Sequence, residues 1–265
     1  MEIMNPGTDR LLRVRRLRNV AKRMTATALC RTGSLGLAER IGKRNLSIIT
    51  FHRVVTEDER ARSLNKPMMV TLAQFEELLD AIVRYGHPMS LGAAVERLAE
   101  GRAFAAGTVA LTFDDGYREL FTRVYPLLKS RGVPATVFVT TSVIDNGDRY
   151  LWWDEVDFFA SVHGHRIKEL GIHTSMDLSP VAEMIERLAT DRTAMTEARL
   201  RDALYRLTPT RRAELVETMR AVAQRNGERP RLMLTWDEVR AISDVVEIGN
   251  HTVNHPLFDL SLIHI

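Results

Sequence analysis

The 265 residues include 37 Lys plus Arg against 34 Asp plus Glu, 45% hydrophobic side chains and one cysteine, Cys30. This is the composition of an ordinary globular protein, and it excludes a disordered tail, a collagen-like repeat and a disulfide-stapled scaffold. A single thiol makes neither an intrachain disulfide nor a Cys-rich zinc site, so any metal must be held by His and carboxylate.

The charge is unevenly spread. Residues 1–44 hold 11 basic and 3 acidic side chains, a net +8, whereas the remainder holds 26 and 31, a net −5. Leu11, Leu12, Val14, Leu17 and Val20 give the arm an imperfect apolar stripe. It reads as one or two basic helices packed on the body or in peripheral contact with an anionic membrane surface. No nucleic-acid reader motif or interleaved aromatics accompany the charge, so no nucleic-acid partner is expected. No run approaches the ~20 apolar residues of a membrane span. Basic residues also interrupt the N-terminus where a signal peptide needs its apolar core. A cytoplasmic location is expected, with the inner membrane as the surface the arm would dock on.

Past the arm, Leu46–Phe51 is a β-branched run predicting a buried strand that ends at His52. Thr71 and Gln74 form a capping box opening a helix with Phe75, Leu78, Leu79, Ile82 and Val83 on one face, closed at Gly86. Ser90 starts a shorter helix that Gly101 ends. Thr108–Phe113 predicts a second buried strand, about 118–131 a helix stopped by Gly132, and Pro134–Thr140 a third strand. Alternating strands and helices imply parallel pairing through crossovers, an α/β fold. From about 145 to 230 the alternation lapses into a mostly helical insertion. It holds an aromatic-rich helix at 151–159 and longer helices near 196–207 and 209–225, ending at Asn226-Gly227. A capping box at Thr235 and Glu238 and a fourth strand at Val245–Ile248 resume the pattern.

Two groups of residues carry chemistry. Thr112-Phe-Asp-Asp-Gly116 ends the second strand with adjacent carboxylates, which are costly there unless something compensates. Neighbours on a strand point to opposite sides, so one of the two can hold a cation while the other stays free for proton transfer. The pair taken alone equally fits two turn acids ahead of a helix. His251-Thr-Val-Asn-His255 follows the fourth strand, and an i, i+4 histidine pair on one face of a helical turn suits a divalent ion. Two histidines and one carboxylate leave open positions for water and substrate, the pattern of a catalytic site. Both groups fall at strand C-terminal ends, where parallel α/β folds build their sites.

These two segments, Thr112–Gly116 and Glu247–His255, resemble the first two signature motifs of the polysaccharide deacetylases, carbohydrate esterase family 4 or the NodB homology family. Thr50-Phe-His-Arg53 and Val133–Val139 resemble the strands on either side of the first motif, and the likeness spans roughly residues 46–260. It implies a distorted (β/α) barrel of about seven strands, here incomplete, within residues 45–265. It implies Asp115, His251 and His255 as metal ligands for a divalent ion, zinc being the usual one, and Asp114 as the general base. The implied reaction removes N-acetyl groups from an N-acetylated glycan or lipid-linked sugar by attack of a metal-activated water.

Other residues invite roles near such a site. His52 shares the strand-end face, with a substrate-facing or supporting role as open as a structural one. Asn250 is placed to hydrogen-bond near the site, and Trp152 or Trp153 to stack on sugar, although at least one is expected in the insertion core. Thr252 and Asn254 are expected to face elsewhere, and His163, His165 and His173 to be solvated. The chain has no later Arg-x-Pro motif and no Leu-x-x-His segment supplying the family's general acid. It is therefore expected to be a fragment, and His264 is a poor substitute for that acid. A same-fold amidase acting on a non-sugar C–N bond and an inactive glycan-binding or scaffold protein are the rival readings.

Overall fold

The computed structural model describes residues 45–146, 149–171, 178–190, 193–225 and 229–256. The basic arm, His173, Asn226-Gly227 and the tail with His264 lie outside the described residues.

Strand β1 (Ser47–Phe51) leads through His52 to a short β2 (Arg53–Val55), helix α1 (Glu57–Arg62) and β3 (Met69–Thr71), which pairs with β2. Helix α2 (Leu72–Tyr85) opens on the Thr71–Gln74 capping box, with both reciprocal hydrogen bonds made. A two-residue β4 (His87–Pro88), α3 (Leu91–Ala99) capped by Ser90, and β5 (Thr108–Asp115) follow. A π-helical turn over Leu120–Val124 runs into α4 (Tyr125–Arg131), which ends on Gly132 in the left-handed conformation, and β6 (Ala135–Val139) comes next. The helical region holds α5 (Trp152–Phe158), α6 (Ser179–Thr190), α7 (Ala194–Arg206) and α8 (Pro209–Gln224). Then α9 (Trp236–Ile242), on the Thr235–Glu238 capping box, leads into β7 (Val246–Asn250).

The four strands read from the sequence are neighbours in one parallel sheet ordered β1-β5-β6-β7, with β4 alongside the start of β5. This is the α/β architecture expected, open rather than closed among the described residues. The short strands β2, β3 and β4 and helices α1 and α6 are additions to the expected elements; pieces of two or three residues carry too little periodicity to stand out. The second and fourth strands also run two residues further than expected. Each thereby takes up residues outside the apolar run, Asp114 and Asp115 on β5, Gly249 and Asn250 on β7.

Side chains alternate across the sheet. Phe51, Leu111, Phe113 and Val137 face a core with Phe75 and Leu79 of α2, Leu128 of α4 and Ile242 of α9. Phe51, Phe113 and Phe75 meet as a triad with ring centroids 5.3–5.9 Å apart. On the other face the Thr112 hydroxyl donates to that of Thr50 at 2.9 Å, and the Thr136 hydroxyl donates to Glu247 at 2.9 Å. The helices of 152–224 bury a separate apolar cluster centred on Phe159, Ile167, Ile185, Leu200, Leu215 and Met219. Buried Glu155 ties α5 to α8 by accepting from Arg220 at 3.0 Å, and it also accepts from Arg229 at 2.6 Å.

Backbone strain collects at the end of β5. Gly116 has φ +87°, and a Cβ there would sit 3.1 Å from Ile144 Cδ1 and 3.3 Å from Val139 Cγ1. Gly132 has φ +63° and open space around it. Urea unfolding of Gly116→Ala should therefore show a loss of about 2–4 kcal/mol, conformational strain plus overpacking. The same change at Gly132 should cost about 1 kcal/mol, the left-handed penalty alone.

Candidate metal centre

The register of the sheet assembles the site. Phe51 is paired with Phe113 in the β1–β5 ladder, so His52 and Asp114, one residue later on each chain, emerge side by side. His52 Nε2 lies 3.8 Å from Asp114 Oδ2. In the β5–β6–β7 ladders Asp115 is level with Val139 and Val139 with Asn250. The His251 N–H donates to the Val139 carbonyl at 2.9 Å, which carries the β7 chain just past Asp115.

At Asp115 the chain turns sharply. The Gly116 N–H donates to the Asp114 carbonyl at 3.0 Å while Asp115 has φ +75°, a three-residue γ-turn in its strained positive-φ form. This turn separates the two carboxylates. Asp115 is fully buried and meets His255 Nε2 at 3.3 Å and His251 Nε2 at 3.6 Å. Asp114, partly exposed, faces His52. One ligand atom from each of Asp115, His251 and His255 lies within 4.8 Å of the others.

The histidine pair does not sit on a helical turn, contrary to the expectation from its i, i+4 spacing. Residues 251–256 form a loop in which Thr252 (φ +67°) and His255 (φ +47°) are both left-handed. Asn250 Oδ1 accepts the Thr252 N–H at 2.6 Å and Thr252 Oγ1 accepts the His255 N–H at 3.0 Å, so these side chains fold the loop that brings the rings to 4.7 Å. Trp153, not Trp152, touches the cluster, its ring 4.8 Å edge-on from His255. Trp152 packs in the helical region against Tyr205. His163 is buried beside Phe158 and Phe159 rather than solvated, because the π-helical turn at Phe159–His163 rotates it inward; His165 is exposed.

Behind the cluster lies a polar network that no motif in the sequence announces. Trp153 Nε1 donates to the Tyr117 hydroxyl at 2.9 Å, and that hydroxyl donates to Asp154 Oδ2 at 2.7 Å. The Arg53 guanidinium lies 4.9 Å over the Tyr117 ring, donates to Glu119, and comes within 3.7 Å of Asp154. The only signal in the sequence is adjacency: Arg53 follows His52, and Tyr117 follows Gly116.

These residues fit a cation. Both Asp115 oxygens are buried without a hydrogen-bond donor, as is His255 Nδ1. Burial, then the charges of Asp154 and Asp114, push the Asp115 carboxyl up to about 8, so an anion at that point lacks its counter-charge. Asp154, buried behind it, is pushed up to about 7 by burial against the pull of Arg53 and Tyr117. Burial also lowers the His255 pKa, favouring the neutral imidazole that a metal requires. Two imidazoles and a carboxylate are a zinc-compatible donor set.

Known proteins resemble parts of the chain. A family profile, Polysaccharide deacetylase, matches residues 101–234, just over half of the chain, including the aspartate pair but not the histidine pair. Poly-beta-1,6-N-acetyl-D-glucosamine N-deacetylases of Escherichia coli strain K12 and of O157:H7 are each 31% identical over 138 residues, 48% of this chain and 20% of theirs. The chain thus spans about a fifth of the length of the curated relatives it matches. Among solved structures, a de-N-acetylase from Aggregatibacter actinomycetemcomitans is 18% identical with TM-score 0.39, covering 78% of this chain and 54% of its own. IcaB from Ammonifex degensii is 22% identical with TM-score 0.34, covering 44% and 48%.

Two measurements probe the centre. A carboxyl whose folded pKa is raised contributes stability that is complete below its unfolded value near 3.8 and lost as pH rises through about 8. In metal-free protein, Asp115→Asn should therefore match the parent near about pH 4 and become the more stable of the two toward about pH 8. Denaturant midpoints across that range read this directly. Tyr117→Phe should cost about 1–3 kcal/mol in the same assay, since it leaves the Trp153 N–H and Asp154 short of a partner.

Proposed function

This chain belongs to the polysaccharide deacetylase family, and we propose that it is a metal-dependent hydrolase removing N-acetyl groups from an N-acetylated glucosamine-type glycan or lipid-linked sugar. The observation carrying this reading is the parting of two adjacent carboxylates at one strand end. Asp115 turns to the two histidines and Asp114 to His52, which provides a three-ligand set beside an uncommitted base. The substrate class is supported by the curated relatives, named as N-deacetylases of poly-beta-1,6-N-acetyl-D-glucosamine.

Asp115, His251 and His255 would hold the ion. A divalent cation bound there supplies Lewis acidity, acidifying water and stabilising negative charge on the acyl oxygen. Asp114 takes the proton of the water whose oxygen forms the new bond to the acyl carbon. Burial lowers the His52 pKa against the pull of Asp114, and His52, 3.8 Å from that carboxylate, would relay the proton to the departing nitrogen as the C–N bond breaks. The products are acetate and a free amine. The net +8 of residues 1–44 supports a peripheral contact with an anionic membrane surface, where lipid-linked sugars reside.

Acetate release from N-acetylglucosamine oligomers, measured with metal content after zinc loading, tests this reading. Asp114→Asn should keep the metal and lose about 10²–10⁴-fold in turnover. Asp115→Ala and His251→Ala should lose the metal itself. Full activity in Asp114→Asn, or metal retained in full by both Asp115→Ala and His251→Ala, would overturn it.

A further inference from the structure

Gly249 lies inside β7, where its φ is not positive, so the backbone conformation there does not call for a glycine. A glycine in a strand interior costs stability and often marks the close approach of another group. The approaching group is Phe138. A Cβ on Gly249 would sit 2.5 Å from Phe138 Cδ1 and 2.7 Å from its Cε1, closer than side chains approach one another. The ring of Phe138 therefore lies across β7 and fills the place of the missing side chain.

The sheet register puts this ring inside the candidate site. Asp114 is level with Phe138, and Phe138 with Gly249, so all three belong to the face opposite the main core. Val137 and Val139, the strand neighbours of Phe138, fill that core, while Phe138 itself is only half-buried. The Val139 carbonyl holds the His251 N–H at 2.9 Å, and the Phe138 ring comes to 6.5 Å from the His251 ring, tilted by 46°. The other ring against His251 is that of His255, at 4.7 Å. Among the described residues no hydrogen bond reaches the His251 imidazole, whose polar neighbour is Asp115 Oδ1 at 3.6 Å. Metal-bound histidines are ordinarily oriented by a hydrogen bond at the second ring nitrogen. For His251, ring packing takes that part.

We propose that Phe138 is a positioning residue for the metal ligand His251, and that residue 249 is glycine because the Phe138 ring needs its space. This rests on the metal-centre reading above, since the role is defined by the ion that His251 would hold. An imidazole walled into its ligating rotamer gives up little freedom when the ion binds. Without the wall it spreads over other rotamers, and the apparent affinity falls with the fraction still competent to bind.

The test is a double-mutant cycle on zinc affinity, measured on the full chain by competition with a chromophoric chelator. Phe138→Ala should weaken zinc roughly tenfold, the lower end of the range for residues that orient metal ligands. Gly249→Ala should weaken it to a similar extent, because the new methyl displaces the ring. The double variant should lose no more than either single one, since with the ring gone the methyl has nothing to displace. Two independent structural defects would instead multiply to about a hundredfold. Phe138→Leu keeps apolar volume without the flat ring; it should weaken zinc in the same direction and carries the cycle if the alanine variant does not fold. Zinc affinity unchanged by both substitutions of Phe138, or losses that multiply in the double variant, would overturn the positioning role and leave the ligand set standing. No zinc binding by the parent chain would overturn the metal centre and the positioning role together.

Discussion

The carboxylate of Asp115 is the constraint around which the rest of this structure is arranged. It is wholly buried, receives no hydrogen bond, and sits on a backbone turn that few residues other than glycine tolerate. A lone anion in such a place costs several kcal/mol unless it is neutralised by a proton or a cation. The protein surrounds it with two imidazoles, which can share a cation but cannot supply a fixed positive charge while neutral. Strain, burial and ligand chemistry thus all converge on one residue, as expected of a place where stability has been given up for function.

The way that residue is held follows from ordinary sheet physics. Stacking of Phe51 on Phe113, backed by Phe75, locks the register of β1 against β5. A slip of β1 by one residue would turn His52 to the helix-packed face, away from Asp114, and Phe51 out of the core. On the other side of β5, backbone bonding between β6 and β7 sets where His251 emerges, and a loop shaped by Asn250 and Thr252 delivers His255. Rigid strands place Asp115 and His251, and a short, self-bonded loop brings His255 up to them.

The helical region is more than a cover over the sheet. It sends Trp153 to His255 and Asp154 to Tyr117, and through Arg53 this network reaches back to the residue following His52. Three segments far apart in the chain therefore support the cluster jointly. Its own core is tied by Glu155 to two arginines, and Trp152 packs against it.

Much of this arrangement is legible in the order of the residues. The four strands, the capping boxes at Thr71 and Thr235, the stops at Gly86 and Gly132, and the position of both motifs at strand ends all rest on local signals: hydrophobic period, side-chain caps and glycine. The candidate ligands are equally legible, since two acidic residues leaving a buried strand and a paired histidine motif are local patterns as well. Tertiary structure alone decided how they are presented. The spacing of His251 and His255 suggests a helical turn, but two left-handed residues stabilised by side-chain hydrogen bonds outweigh helix geometry. Trp153 rather than Trp152 reaches the cluster, and His163 turns inward, because the rotation of a helix about its axis is set by what it packs against. The roles of Arg53, Tyr117 and Asp154 depend on contacts spanning 37 to 101 positions, distances over which a sequence carries no readable period. Composition and pattern determined which groups would be present; only packing determined which of them would meet.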